Sequence, residues 1–144
     1  MKILFYVEPH PIRNTLLHFI DIAKKFSSIV NSANHVDARL FANSEVIQKL
    51  FSEKLISPQK VINPTRIEDD IFSVFNVDWE SSGTNIWLDL ISQGEIAREY
   101  YLPIIRRIWN LFPFDIIVYW GENGAVRLFQ QEQNITAIGM ELGC

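Results

Sequence analysis

Acids, amides and a histidine recur at three places in this chain, each just after or at the end of an apolar run. The first is Glu8-Pro-His10-Pro-Ile-Arg13-Asn14, following Ile3-Leu-Phe-Tyr-Val7. The second is Gly121-Glu122-Asn123-Gly124, following Ile116-Ile-Val-Tyr-Trp120, and the third is Glu141, inside Ile135-Thr-Ala-Ile-Gly-Met-Glu-Leu142. His10 could serve as a general base or bind a sugar hydroxyl, and Arg13 at a helix start could clamp an anion. The plainer reading of that loop is a capping Asn14 beside solvated Glu8 and Arg13. Gly121 and Gly124 allow either close approach of a ligand to the backbone or positive φ. The helix that follows would offer free amide N–H groups to an anion or hydroxyl. As a turn glycine and an N-cap, Gly121 and Asn123 need no ligand, but Glu122 is then an unexplained acid in a tight turn. Glu141 must lie at a cleft mouth or be buried with a partner, because an unpaired buried charge is too costly.

Several chemistries are excluded by what the chain lacks. Gly121-Glu-Asn-Gly124 is neither the Gly-x-Gly-x-x-Gly dinucleotide fingerprint nor a phosphate loop with its Lys-Ser/Thr pair. No Gly-x-Ser-x-Gly nucleophile elbow occurs, and no His/Cys/Asp/Glu spacing suits zinc or iron. The lone Cys144 excludes an internal disulfide. His18, beside an apolar helical stripe, reads as a packing or surface residue, and His35 as solvated. A net charge of −4 without a long basic run argues against nucleic acid as a partner. The apolar run at the N-terminus spans about five residues, below the roughly 7–15 of a secretory signal core. No stretch reaches the roughly 20 apolar residues of a membrane span. These features suit a cytoplasmic protein, at most peripheral to the inner membrane.

The elements that must position the three loops follow from periodicity. Residues 2–7 read as a strand stopped by Pro9 and Pro11. Asn14 or Thr15 could cap a helix whose apolar stripe is Leu16, Leu17, Phe19, Ile20, Ile22, Ala23 and Phe26. Residues 36–42 read as a second strand, Ser44 as the cap of a short helix, and Val61-Ile62 as a brief third strand. Residues 65–83 mix a helical pattern with a loop. A long helical pattern over 86–111 contains Pro103, which should kink or divide it. Its aromatics and Arg106-Arg107 could meet a membrane surface or partner, but packing on a sheet is the simpler expectation. Residues 116–120 form the next strand, 124–133 a helix, and 135–142 a final buried strand. With 48% apolar residues over 144 positions there is core enough for a single domain. Strands nearly continuous in apolar residues, alternating with helices, predict a Rossmann-like doubly wound α/β fold, with a mostly parallel sheet and helices on both faces. Such a fold gathers all three loops at the carboxyl ends of its strands.

The segments Lys2-Ile-Leu-Phe-Tyr-Val-Glu-Pro-His-Pro11, Phe114-Asp-Ile-Ile-Val-Tyr-Trp-Gly-Glu-Asn-Gly124 and Ile135-Thr-Ala-Ile-Gly-Met-Glu-Leu-Gly143 together resemble the N-terminal domain of GT-B-fold glycosyltransferases of bacterial surface-polysaccharide assembly. The resemblance implies an acceptor-binding domain whose partner is a second, C-terminal domain that binds the nucleotide-sugar donor. It implies transfer to a glycan acceptor without a cofactor or an obligatory metal. His10, Glu122 and Glu141 would then supply the base or charge stabiliser, while Glu8, Arg13, Asn14, Gly121, Asn123 and Gly124 orient the acceptor. The sequence stops near the third loop, so more chain is expected to follow. Two other classes stand beside this one. One is a complete flavodoxin-like or receiver-like binding module, disfavoured as a receiver because Glu8 stands alone before Pro9. The other is a noncatalytic Rossmann-like domain of a larger assembly protein.

Overall fold

A computed structural model describes residues 1–8, 16–63, 97–121 and 123–140. Four strands, β1 (Lys2–Tyr6), β2 (Asp37–Phe41), β3 (Ile116–Trp120) and β4 (Thr136–Met140), form one sheet in the order β2-β1-β3-β4. Every pairing is parallel. Among the described residues the α-helices are α1 (Leu16–Ser32), α2 (Ser44–Ser52), α3 (Leu102–Leu111) and α4 (Gly124–Glu132). This is the α/β, Rossmann-like architecture expected from the sequence.

Alternation along the strands divides the core in two. Leu4, Tyr6, Phe41 and Ile117 meet Ile104, Ile105 and Ile108 of α3 and Val126 and Phe129 of α4. Phe5, Val7, Ala38, Leu40 and Val118 meet Phe19 and Phe26 of α1 and Val46 and Leu50 of α2. Burial of each large apolar side chain contributes roughly 1.5–3 kcal/mol, so both faces are strong constraints on strand register. At the amino edge, Asp115 accepts the Lys2 N–H at 2.9 Å and returns its own N–H to the Lys2 carbonyl at 2.8 Å. That exchange fixes β3 beside β1 from the end opposite the candidate loops.

Three local expectations are corrected and a fourth, at Pro103, is met. Asn43, not Ser44, caps α2: its Oδ1 accepts the Val46 N–H at 2.9 Å. Val61 makes only an isolated parallel bridge to Leu40, because Pro58–Lys60 turns the chain immediately before it. The last strand is not buried. Its residues are all exposed or half-exposed, and Ile138 is 45% exposed, since among the described residues β4 pairs on one side only. Pro103 divides the long helical pattern: a π-helical turn, Ala97–Tyr101, precedes α3, and the proline occupies its first turn, where a missing N–H is tolerated. The apolar side of this segment is buried against the sheet, while Arg106 pairs with Glu132 of α4. The stretches 65–83 and 86–96 lie outside the described residues.

Candidate functional site

The strand order decides where a ligand can enter. From β1 the chain crosses through α1 to β2 on one side, while β3, on β1's other side, leads through α4 to β4. The two helices lie on opposite faces. Between β1 and β3 the connections therefore diverge, which makes the carboxyl ends of those strands the switch point where open α/β sheets place their ligand crevice. Glu8, just beyond β1, and Asn123, just beyond β3, both arrive there.

They meet directly. The Asn123 side chain donates through Nδ2 to Glu8 Oε2, and the Tyr6 hydroxyl donates to Glu8 Oε1 at 3.0 Å. Tyr6 stacks on Phe41, with ring centroids 5.9 Å apart and 6° between planes. Asn123 also caps α4, its Oδ1 accepting the Val126 N–H at 3.1 Å. One carboxamide thus joins the end of β1 to the start of α4, and its two bonds fix which atom is oxygen and which nitrogen. Glu8 is 7% exposed and Asn123 4%. Burial pushes the Glu8 carboxyl up to about 8, against the smaller opposing pull of the Asn123 and Tyr6 donors. At neutral pH this acid is mostly protonated, a condition that suits exchange of a proton with a bound hydroxyl.

Gly121 has φ +66°, and a Cβ built on it would meet nothing within 4 Å. Of the two reasons for a glycine here, left-handed backbone is the one realised within the chain. Its N–H reaches the Met140 carbonyl at 2.8 Å, which extends the β3–β4 ladder into the loop. Gly124 is the first residue of α4 and is buried.

Of the candidate residues, the structure therefore gathers Glu8, Gly121, Asn123 and Gly124 at one edge. His10, Arg13, Asn14, Glu122 and Glu141 lie outside the described residues. Glu8 is not the solvated residue of the plainer sequence reading, and Asn123 is more than a helix cap. Two residues of this edge escaped sequence reasoning. Tyr6 reads as one more apolar strand residue, although its i, i+2 spacing to Glu8 places both on one face. Asn43 is buried at the carboxyl end of β2, and its position just before an amphipathic helix was the available signal. The expected solvation of His35 is seen, as it is exposed. Away from the crevice, a cleft of about 410 Å³ is lined by Ser44, Ile47, Gln48, Phe51, Pro58, Val61 and Asn63. Among the described residues its lining holds no acid or base. Among the described residues no three His, Cys, Asp or Glu side chains cluster as metal ligands, and no helix is long and apolar enough to cross a membrane.

The sequence matches no family model, and comparison with curated proteins and with solved structures likewise finds no match.

Proposed function

We propose that this chain is the acceptor-side domain of a glycosyltransferase, binding a hydroxyl-rich glycan acceptor at the crevice between β1 and β3. The observation that carries this reading is Glu8, a buried acid at the topological switch point, bonded to Tyr6 and Asn123. A carboxyl beside a carboxamide offers both donors and acceptors, the pairing that a hydroxyl can satisfy. Its titration near neutrality matches the proton demand of a hydroxyl becoming a nucleophile.

In this proposal Glu8, Arg13, Asn14, Gly121, Asn123 and Gly124 orient the acceptor. His10, Glu122 and Glu141 are the candidates for the base or charge stabiliser. A second, nucleotide-sugar-binding domain would deliver the donor, in the cytoplasm, without a cofactor. The burial of Glu8, with both oxygens engaged, favours one alternative: a noncatalytic ligand-binding module in which Glu8 shapes the crevice without exchanging protons.

The test is an NMR titration of the ¹⁵N-labelled chain with neutral mono- and oligosaccharides and, separately, with nucleotide-sugars. The proposal expects saccharides to shift the amides of Glu8, Gly121, Asn123 and Gly124. Shifts confined to the cleft beside α2, or produced by nucleotide-sugars alone, would overturn the acceptor assignment.

A further inference from the structure

The cleft beside α2 has two walls, and both change character along their length in the same sense. One wall is a single face of α2, because Ser44, Ile47, Gln48 and Phe51 follow the i, i+3, i+4, i+7 spacing. The other is the chain from Pro58 through Val61 to Asn63. Ser44 opens α2 just past the carboxyl end of β2, and Phe51 lies about two turns further along the helix. Val61 bridges to Leu40 in parallel, and the Ile62 N–H reaches the Leu40 carbonyl at 2.9 Å, so Asn63 also emerges at that carboxyl end. Polar Ser44, Gln48 and Asn63 thus lie towards the sheet edge, while Phe51, Pro58 and Val61 extend away from it. The volume, about 410 Å³, falls within the roughly 300–1,000 Å³ of small-molecule sites. Among the described residues no charged side chain lines it, so an ion would lose water without gaining a counter-charge. A wholly apolar guest would take water from the polar end and return no hydrogen bond. Ser44 and Asn63 have contacts of their own within the chain, which leaves the exposed Gln48 carboxamide as the principal donor and acceptor for a guest.

We propose that this cleft binds an uncharged, N-acylated sugar unit, its amide at Gln48 and its acyl methyl towards Ile47, Phe51 and Val61. An acetamido group carries an N–H, a carbonyl and a methyl within a few atoms, which matches a polar mouth running into an apolar interior. The guest is a sugar because of where the mouth opens. The Val7 N–H donates to the Phe41 carbonyl at 2.8 Å, which sets Glu8 level with Ala42, beside Asn43 and the start of α2. The mouth therefore lies about two strand spacings from Glu8, roughly 10 Å, a span that neighbouring units of one oligosaccharide cover. The acceptor then presents its reacting hydroxyl in the crevice and an adjoining N-acylated unit in the cleft. The choice of a sugar, and its place in an acceptor, rest on the acceptor reading, whereas a neutral guest with one polar and one apolar end follows from the lining alone. Residues 64–96, which follow Asn63, lie outside the described residues, so the experiment uses the whole chain.

The experiment titrates the ¹⁵N-labelled 144-residue chain with N-acetylglucosamine, with glucose, and with adenosine as an uncharged ring compound that is not an N-acylated sugar. N-acetylglucosamine should shift the amides of Ser44, Gln48 and Asn63 to saturation. Glucose should bind about tenfold more weakly or worse, the discrimination that a missing methyl commands in an apolar pocket. Gln48→Ala, at an exposed helical position where alanine is well tolerated, should weaken N-acetylglucosamine by about fivefold to tenfold. Asn63→Ala, on the opposite wall, should weaken it in the same direction. Equal affinity for glucose and N-acetylglucosamine would overturn the proposal. So would tighter binding of adenosine, an absence of shifts at the cleft, or an affinity unaltered in both variants. Shifts at the cleft amides alone would uphold this site while removing the crevice as the acceptor site. Shifts at Glu8, Gly121, Asn123 and Gly124 with none at the cleft would do the reverse.

Discussion

Replacing Glu8 by Gln should remove one specific slope from the pH dependence of folding stability. The folded carboxyl titrates at about 8 and the ordinary value is 4.5. Below pH 4.5 the acid carries its proton in both the folded and unfolded states and contributes no slope. Between 4.5 and about 8 the unfolded chain has released that proton while the folded chain still holds it. Stability therefore declines as pH rises, by about 1.4 kcal/mol per pH unit. Above 8 both forms are ionised and the decline ends. Over the whole window the loss is about 5 kcal/mol as a ceiling, because a carboxylate that relaxes towards water sheds part of the desolvation cost. Glutamine has the same shape, keeps an acceptor for Asn123 or Tyr6, and cannot ionise. Urea unfolding of both proteins at pH steps from 5 to 9 supplies the comparison, since all other titrating groups are shared and cancel in the difference. Glu8→Gln should gain on the parent chain by several kcal/mol between pH 5 and 8. A difference that stays within about 0.5 kcal/mol, the scatter of neutral surface substitutions, would refute the reasoning.

Other perturbations probe the same framework. Asn123→Ala removes a cap and leaves a buried acid without one of its donors, so about 2–3 kcal/mol of stability should be lost in chemical unfolding. Asn43→Ala should cost about 1 kcal/mol by the same assay through loss of the α2 cap. Gly121→Ala should cost about 1–2 kcal/mol in chemical unfolding from the left-handed backbone alone, because the added methyl meets nothing within 4 Å. Phe129→Ala, which empties the contact with Trp109 and Phe114, should cost about 3–5 kcal/mol and lower the melting temperature sharply.

Much of the architecture was legible because its strands are apolar on both faces and its helices carry clear stripes. Residues 116–120 and the helix beginning at Gly124 were placed almost to the residue, since Pro113 and Gly121-Gly124 punctuate them. What misled was context that a linear pattern does not carry. Thr136–Met140 looks buried because its residues are apolar, but burial depends on neighbours, and β4 has one strand beside it among the described residues. Val61-Ile62 has strand-forming residues, yet only one bridge forms after the Pro58–Lys60 turn. The candidate site was legible as an edge, from the rule that parallel strands end together. The bond between Glu8 and Asn123 was not, because 115 positions separate the pair and only the adjacency of β1 and β3 brings them together. Tyr6 was hidden for a related reason: a tyrosine in an apolar strand shows its hydroxyl's partner only in three dimensions.

The central claim is that Glu8 is a protonated acid buried at the switch point between β1 and β3. The carboxyl ¹³C shift of Glu8, followed by NMR from pH 3 to 10 and assigned by comparison with Glu8→Gln, tests it most directly. A single titration with its midpoint near 8 is the predicted result. A midpoint at the ordinary value of 4.5 would contradict it, and with it the proposed role of this acid.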